Sequence, residues 1–212
     1  MEVKRRSYDA RGRRARAEGT RRQILEAAHE LFVDRGYAAT TMTAVAERAG
    51  VALDTVYASV GRKPAVVRAL VERALSGATS PVDAEQRDYV RAIRAEPDAR
   101  RKIEQYALAL ASVHARLAPV HLVVRDAGTA DPELAAQWQA VSDRRADNMR
   151  RFVADLASTG SLRPGLDHET AADTIWATNS PEVYDLLVRQ RGWSADRYTA
   201  WLTDTWVRLL LG

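Results

Sequence analysis

The chain has 212 residues, of which 46% are hydrophobic and 28% charged, and its net charge is +4. This composition is typical of a globular, helix-rich protein of one or two domains. Because there is no cysteine, disulfides and thiolate metal sites are excluded. No apolar run approaches the roughly 18 residues of a membrane span, and no signal-peptide pattern is present. The sequence therefore predicts a cytoplasmic protein that contacts no membrane.

The first predicted segment is a basic arm, residues 1–19. Residues 1–22 contain nine lysines and arginines, Arg14 and Arg16 among them, against three acidic residues. A charge run of this kind is most often a solvated, disordered tail. It is a phosphate-neutralising arm only if a nucleic-acid reader follows directly in the chain.

Short helical patterns follow the arm. Residues 20–36 are amphipathic and end on a glycine suited to a left-handed C-terminal cap. A second helix is predicted over residues 41–50, with a threonine as N-cap and a glycine at its end, and a third over residues 52–59. Helices this short are unstable alone in water, so each must pack on its neighbours and on a helix over residues 63–74. The small Ala46 and the turn glycine complete the pattern of a helix-turn-helix.

The exposed side of the third helix carries candidate DNA contacts. These are Asp54, Thr55, Tyr57, Ala58 and Ser59. Such side chains reach base edges or phosphates when the helix lies in a major groove. Arg62 and Lys63 begin the next helix, where free N–H groups and the helix dipole already favour an anion, so we expect a phosphate clamp there. Any three-helix packing needs a small residue and a glycine at its corner, so the DNA interpretation depends on the arm and the clamp as well.

Residues 21–71 closely resemble the N-terminal DNA-binding domain of TetR-type transcriptional regulators. The motifs that carry the resemblance are ILEAAHELFVDRGYAATT, VAERAGV, Thr55-Val56-Tyr57 and Lys63. The resemblance implies an all-α fold, with a helix-turn-helix DNA-binding domain over residues 20–76 and a helical-bundle domain for effector binding and dimerisation over residues 89–212. It also implies a homodimer that binds a palindromic operator, usually as a repressor, and is released by a small molecule.

The resemblance extends to individual residues. Thr41, Thr43, Tyr57 and Lys63 match positions that contact the DNA backbone, and residues 52–59 match the recognition helix.

The recognition helix departs from the family pattern in three ways. Ala52 replaces the usual serine, which removes a side-chain N-cap worth about 1 kcal/mol. Ser59-Val60-Gly61 replaces the usual aromatic-rich ending. Asp54 repels phosphates unless it accepts a hydrogen bond from a cytosine amine. Because the helix carries no positive charge, we expect affinity from basic groups elsewhere, namely the arm, Arg48, Arg62 and Lys63.

The rest of the chain predicts helices throughout. Residues 80–88 are polar and contain a proline, so we expect a flexible joint there. Residues 99–124 are apolar nearly all round, as in a helix buried on every side, and Pro119 is expected to kink or split that helix. Further helices are predicted over residues 131–158, from the cap Asp167 to Trp176, over residues 182–190, and from the cap Ser194 to the end of the chain.

The last predicted helix has an aromatic face. Its members are Tyr198, Trp201, Leu202, Thr205, Trp206 and Leu209. A tryptophan stripe at helical spacing is usually ordinary core. Large aromatic side chains are also enriched at interfaces, and the resemblance implies a dimer built from the last two long helices. We predict that this face forms the homodimer interface, with burial in the protomer's own core as the alternative.

Polar side chains on the apolar helix are the first candidates for an effector site. His114, His121 and Arg125 fall in one column if that helix is continuous, and a ligand carboxylate or hydroxyl would supply the partners that buried polar groups need. Asp143 or Asp147 would serve equally, since such groups are usually satisfied by the protein itself. Other candidates for lining a cavity are Tyr106, Trp138, Asn148, Trp176, Asn179 and Tyr184.

Two rival classes of protein are weighed against this interpretation. An enzyme would need a nucleophile, an acid–base pair or a metal cluster, and the sequence has no HExxH motif, no glycine-rich phosphate loop and no third ligand near His114 and His121. We therefore predict no catalysis, no metal and no cofactor. A DNA-binding helical dimer without an effector stays open as the alternative. The predicted partners are double-stranded operator DNA, a second copy of the chain and an unknown small molecule.

Overall fold

The computed structural model describes residues 10–77, 84–129 and 131–212. Within these ranges the regular secondary structure is helical, and an isolated antiparallel bridge joins Leu162 to Leu211. The helices are α1 (Ala10–Ala39), α2 (Met42–Ala49), α3 (Leu53–Ser59), α4 (Lys63–Ser76), α5 (Asp88–Ala95), α6 (Ala99–Gly128), α7 (Pro132–Ala157), α8 (His168–Thr178), α9 (Pro181–Tyr184) and α10 (Ala195–Leu210). A short 3₁₀ helix, Ala84–Gln86, precedes α5, and a π-helical stretch, Asp185–Gln190, continues α9. The predicted all-α fold is confirmed.

The chain divides into two compact units, Met1–Leu70 and Val71–Gly212, and the boundary falls inside α4. In the first unit, α1 packs against α2 and α3, and α2 packs against α3. The buried core of this unit includes Ile24, Leu31, Phe32, Val45, Val56 and Val66. This packing stabilises α2 and α3, which are too short to persist alone.

Helix α1 differs from the sequence prediction at both ends. It begins at Ala10 and not at Thr20, so residues 10–19 of the predicted arm are helical, as their alanines and arginines favour. Residues 1–9 of that arm lie outside the described residues. Gly36 has φ 76° and ψ 172°, so it interrupts the helix without the left-handed cap conformation that was predicted, and helical residues continue to Ala39.

The second unit is centred on α6, which packs against α5, α7, α9 and α10. Its core joins apolar residues of these helices with large aromatic side chains of α10. Pro119 does not split the helix, because α6 is a single helix through that residue; the alternative expectation of a kink stays a prediction. A proline removes one backbone hydrogen bond, but Leu117, Ala118 and Val120 are buried around it, and this packing holds the helix together.

Helix α6 also corrects the expectation of no span-like segment. It contains an 18-residue window that is long and apolar enough to cross a membrane, and 61% of that window is buried inside the protein. Burial of this kind is what a core helix shows.

The other element boundaries follow the predicted capping residues. The side chains of Asp131, Asp167 and Ser194 accept hydrogen bonds from the first turns of α7, α8 and α10, which confirms these caps. The predicted joint, residues 80–88, lies partly outside the described residues. Its described part forms the 3₁₀ helix and the start of α5.

Candidate DNA-binding and effector sites

The turn between α2 and α3 has helix-turn-helix geometry. Thr41 caps α2, because its Oγ1 accepts a hydrogen bond from the backbone N–H of Ala44 at 3.1 Å. Gly50 ends α2 with φ 66° and ψ 32°, a left-handed conformation that favours glycine. The backbone N–H of Val51 then donates to the carbonyl of Ala46 at 3.0 Å and closes the turn. The predicted cap and turn glycine are both confirmed.

One side of α3 is buried and the other faces solvent. Val56 has no exposed surface, whereas Asp54 is exposed and Tyr57 is exposed by 44%. Thr55 and Ser59 are half-buried. The exposed side thus presents a carboxylate, a phenol and hydroxyls without a cation, as the sequence predicted.

The C-terminal end of α3 is held by Arg21 of α1. Its Nη1 donates to the carbonyl of Ser59 at 2.6 Å in a half-buried contact. A cation at a helix C-terminus also interacts favourably with the helix dipole. Sequence analysis placed Arg21 only in the basic run and missed this contact. The spacing of Arg21 to the buried Ile24 and Ala28 was the available signal, since it places all three on one helical face.

The two predicted phosphate-clamp residues lie together at the start of α4 in different environments. Arg62 is exposed immediately before the helix. Lys63 is half-buried, and its Nζ lies 4.1 Å from the ring centroid of Tyr37, a cation–π contact. Thr41 and Thr43, the other predicted backbone contacts, are both exposed on α2 or at its cap.

The remaining basic candidates make exposed contacts within the first unit. Arg14 pairs with Glu18 at 3.1 Å, and Arg16 donates to a backbone carbonyl of α1. Arg48 pairs with Glu30 at 2.8 Å. Exposed ion pairs contribute about 0–1 kcal/mol, so these contacts are weak enough for the arginines to exchange them for phosphates.

In the second unit, His114 lies in an aromatic setting. It is buried, its Nδ1 is 3.3 Å from the hydroxyl of Tyr198, and its ring packs near Tyr184. Burial lowers the pKa of His114 to about 3, so the ring is neutral at physiological pH. Burial also raises the pKa of Tyr198, which keeps its hydroxyl protonated.

His121 forms a second buried contact, with Glu182 of α9. Its Nε2 lies 2.6 Å from Oε1 of Glu182, and its ring centroid is 4.0 Å from that of Trp138. Burial lowers the pKa of His121, although the bond to Glu182 opposes this shift. Burial acts to raise the pKa of Glu182, but the hydrogen bond from His121 outweighs it and the pKa falls to about 2. Glu182 is therefore ionised, and the ring of His121 donates to it.

Two expectations for the predicted histidine column are wrong. Arg125 does not face inward with the histidines, because it is exposed and pairs with Asp126 at 3.0 Å. The partner of His121 is Glu182, whereas Asp143 and Asp147 make exposed contacts along α7. Within the described ranges no three His, Asp or Glu side chains are grouped as a metal ion would need.

Asn179 ends α8 in a buried polar cluster. Its Nδ2 donates to the hydroxyl of Tyr106 at 3.1 Å and lies 3.4 Å from Sδ of Met149. Its Oδ1 is buried without a hydrogen-bond partner among the described residues. Burial raises the pKa of Tyr106, so its hydroxyl stays protonated.

Arg145 of α7 joins this cluster and was missed by sequence analysis. Its Nη2 donates to the backbone carbonyls of Trp176, at 2.8 Å, and of Asn179. Burial lowers the pKa of Arg145. Its position four residues before the buried Met149 places it on the apolar face of α7, and that spacing was the available signal.

The structure divides the predicted effector residues among several places. Tyr106 and Asn148 line a cavity of about 80 Å³ bounded by α5, α6 and α7. His114 lies with Tyr184, His121 with Trp138, and Trp176 with Asn179. Contacts link these pairs, because Tyr106 accepts a hydrogen bond from Asn179, and Arg145 interacts electrostatically with Tyr106, His114 and His121.

The residues of the predicted dimer face fall into a buried group and a partly exposed group. Tyr198, Leu202 and Trp206 have 0% exposure within a single protomer, and Trp206 donates from Nε1 to the hydroxyl of Thr178 at 2.8 Å. These three residues are core, so their assignment to an interface is wrong. The aromatic spacing could not separate the two cases, because core and interface both bury large side chains. Trp201 and Thr205 are half-buried and Leu209 is 38% exposed.

Comparison with known proteins places this geometry in a family. The sequence profile of the bacterial regulatory proteins of the tetR family matches residues 24–74. The chain is 29% identical over 180 residues to the uncharacterized HTH-type transcriptional regulator YdeS of Bacillus subtilis (strain 168), covering 82% of each chain. It is 29% identical over 152 residues to the HTH-type transcriptional activator FasR of Mycolicibacterium smegmatis (strain ATCC 700084 / mc(2)155), covering 71% of this chain and 64% of that protein.

A solved structure matches both units. The SmeT–triclosan complex is 25% identical with a TM-score of 0.67, and the match covers 92% of each chain. The profile match falls on the helix-turn-helix of α2 and α3 and its flanking helices, and the structural match extends through the helical unit that follows. The chain therefore belongs to the TetR family of bacterial transcriptional regulators.

Proposed function

We propose that the protein is a ligand-responsive repressor that binds a palindromic double-stranded operator as a homodimer. The observation that carries the proposal is the exposed side of α3, where Asp54 and Tyr57 face solvent while Val56 anchors the helix. A helix presented in this way after a helix-turn-helix corner enters the major groove with its polar side. Ser59 and Thr55 stay in the proposed contact set at the half-buried edge of that side.

DNA affinity comes from cations around α3, because the helix itself has none. Arg62 is exposed before α4, and Lys63 is oriented by Tyr37. Arg14 and Arg16 are exposed on the N-terminal extension of α1. Each phosphate neutralised by such a residue releases counterions, which makes binding strong at low salt and weak at high salt.

A homodimer is needed because one recognition helix covers only a few base pairs. Of the predicted interface residues, Trp201, Thr205 and Leu209 keep exposed surface, and Leu186 on the preceding segment is 51% exposed. The test is sedimentation of Trp201→Glu and Leu209→Glu. A carboxylate buried in an interface without a partner costs several kcal/mol, so these variants become folded monomers. Parent-like dimers would place the interface elsewhere.

The proposed domains are a basic arm over residues 1–19, a DNA-binding domain over residues 20–76 and an effector domain over residues 89–212, which lies within the second unit. SmeT, which resembles this chain along most of its length, is known in complex with triclosan. One observation favours the alternative, a DNA-binding dimer without an effector. His114 and His121, the first candidates for ligand contact, already have protein partners.

The proposal includes a cytoplasmic location, no cofactor and no catalysis. It is tested by selecting operators from a random DNA pool and then placing the selected site in front of a reporter gene. Selection yields a two-fold symmetric sequence, and the protein lowers reporter expression. Failure to enrich any sequence would contradict DNA reading, and higher expression would make the protein an activator, as FasR is named.

A further inference from the structure

The cavity between α5, α6 and α7 has an apolar inner wall. The wall is formed by Tyr89, Val90, Ile93, Tyr106 and Phe152. Its volume is about 80 Å³, well below the roughly 300–1,000 Å³ of sites for drug-sized ligands. The cavity therefore accepts a small body, such as one ring or a short branched chain.

Two arginines and one carboxylate lie on the solvent-exposed side of this cavity. Arg94 of α5 and Arg151 of α7 donate to the same oxygen of Glu85, at 3.2 and 3.0 Å. All three side chains line the cavity and are about half exposed. The carboxylate of Glu85 thus faces two cations from different helices, whereas Asp155, the second carboxylate that lines the cavity, is paired with Lys102.

The ion pairs that Glu85 forms with Arg94 and Arg151 are weak. Exposed ion pairs are screened by water and salt, and they contribute little to stability. Glu85 lies in a 3₁₀ helix of three residues, Ala84–Gln86, so little regular structure opposes its displacement. A guanidinium binds a carboxylate through two parallel N–H donors, and an incoming carboxylate can take over the hydrogen bonds that Glu85 accepts now.

The walls of the cavity are fixed by a buried lysine. Nζ of Lys102 donates to the carbonyl of Ile93 at 2.8 Å and to Oδ2 of Asp155 at 2.8 Å, and so joins the end of α5 to α6 and α7. Asp155 neutralises this lysine. The cations left for a ligand are therefore Arg94 and Arg151, on a preformed wall.

We propose that this cavity binds a small monocarboxylate with a compact apolar body, whose carboxylate replaces Glu85 at Arg94 and Arg151. Glu85 acts as an internal competitor for the ligand. The inference rests on the proposed function, because it names the chemical class of the regulator's effector.

The test is calorimetric titration of the full-length protein with 3-methylbutanoate, benzoate and 3-phenylpropanoate. Each acid is compared with the corresponding alcohol, which has the same apolar body but no carboxylate. At least one acid binds, and its alcohol binds about tenfold more weakly or not at all. Glu85→Gln binds that acid about three- to tenfold more tightly, because the competitor is removed. Arg94→Met and Arg151→Met each bind it about tenfold more weakly. All three changes are at exposed sites, and circular dichroism confirms that the variants are folded.

Arg150→Met is the matched control. Arg150 is an exposed arginine of α7 that pairs with Asp147 at 2.7 Å and does not line the cavity, so its replacement leaves acid binding unchanged. The proposal is overturned if no acid binds at about 10 mM, or if binding is the same in the Glu85, Arg94 and Arg151 variants as in the parent.

Operator binding, measured in parallel without ligand, separates this inference from the proposed function. A protein that binds operator but none of the acids keeps its regulatory function and loses this ligand class. A protein that binds an acid through Arg94 and Arg151 but selects no operator keeps the site and loses the regulatory function.

Discussion

The two units of the protein use their polar side chains in opposite ways. In the first unit, Asp54, Tyr57 and Arg62 are exposed and available to a partner. In the second unit, His114 and His121 are buried and already form hydrogen bonds with Tyr198 and Glu182. A buried polar group must form hydrogen bonds within the protein when the chain folds. An exposed polar group is hydrated instead, so it can bind a ligand later. Candidate binding residues are therefore better sought among exposed or cavity-lining groups than among polar residues on apolar helices.

The largest expected effect tests whether the aromatic face of α10 is core. Trp206→Ala removes a fully buried side chain that packs against Tyr106 and Phe152, so we expect the unfolding free energy to fall by about 3–5 kcal/mol. Chemical denaturation measures this change. Arg208→Ala, on the same helix but with a side chain that is 77% exposed, is the control and leaves the unfolding free energy close to that of the parent. A Trp206 variant that unfolds like the parent but dissociates into monomers would show that Trp206 lies in the dimer interface and not in the core.

The second prediction concerns the neutral histidine in the buried network. The pKa of His114 is about 3 in the folded protein, whereas a solvated histidine has a pKa of 6.5. Between these values the unfolded state binds the proton and the folded state does not. Stability is therefore fully present above pH 6.5 and falls as the pH is lowered, by roughly 2 kcal/mol between pH 6.5 and 5 for this group.

The measurement compares urea denaturation of the parent and of His114→Asn at pH 7 and pH 5. Asparagine retains a polar partner for Tyr198 and does not titrate. The variant is destabilised less than the parent on acidification, although His121 still contributes in the same direction. Equal destabilisation of both proteins would show that His114 is protonated in the folded state.

The third prediction separates a structural threonine from a purely DNA-facing one. Thr41 caps α2 through the N–H of Ala44, so Thr41→Ala lowers the unfolding free energy by about 1 kcal/mol. Thr43 is exposed in the first turn of the same helix, and Thr43→Ala leaves stability within about 0.5 kcal/mol of the parent. Both variants bind operator more weakly if both hydroxyls reach phosphates. Equal stability of the two variants would contradict the cap.

The smallest effect is expected from the helical arm. Replacing Arg14 and Arg16 by alanine weakens binding to operator and to random DNA alike, because hydrogen bonds to phosphates carry no sequence information. The dependence of log K on log salt flattens by about 0.9 for each phosphate that the variant no longer neutralises. Fluorescence anisotropy at several salt concentrations measures the slope. An unchanged slope would mean that these arginines are solvated in the complex.

The sequence predicted local features well and long-range partners poorly. The Thr41 cap, Gly50 and the burial of Val56 follow from patterns a few residues long, so they could be predicted. Glu182 as the partner of His121 could not, because the contact joins α6 to α9 and depends on how distant helices pack. The early start of α1 shows the same limit, since a charge run favours a tail and a helix alike until its neighbours are known.

The difference between local and long-range features also explains why the sequence did not predict the cavity. Tyr106 and Asn148 were singled out for their type, but Arg94, Arg151 and Glu85 have the pattern of ordinary surface charges in the sequence. Only the fold brings one residue from each of three segments to the same opening. Long-range convergence of common residue types leaves no signal in a single sequence.

The most direct test of DNA reading by α3 is the ratio of affinities for the selected operator and for random DNA, measured by anisotropy for Asp54→Ala/Thr55→Ala and for Leu108→Ala. Leu108 is 63% exposed on α6 of the second unit and is the control. We expect the ratio of the α3 variant to fall at least about tenfold, equivalent to about 1.4 kcal/mol, while the control keeps the parent's ratio. An α3 variant that is folded, dimeric and as selective as the parent would contradict the assignment of α3 as the recognition helix.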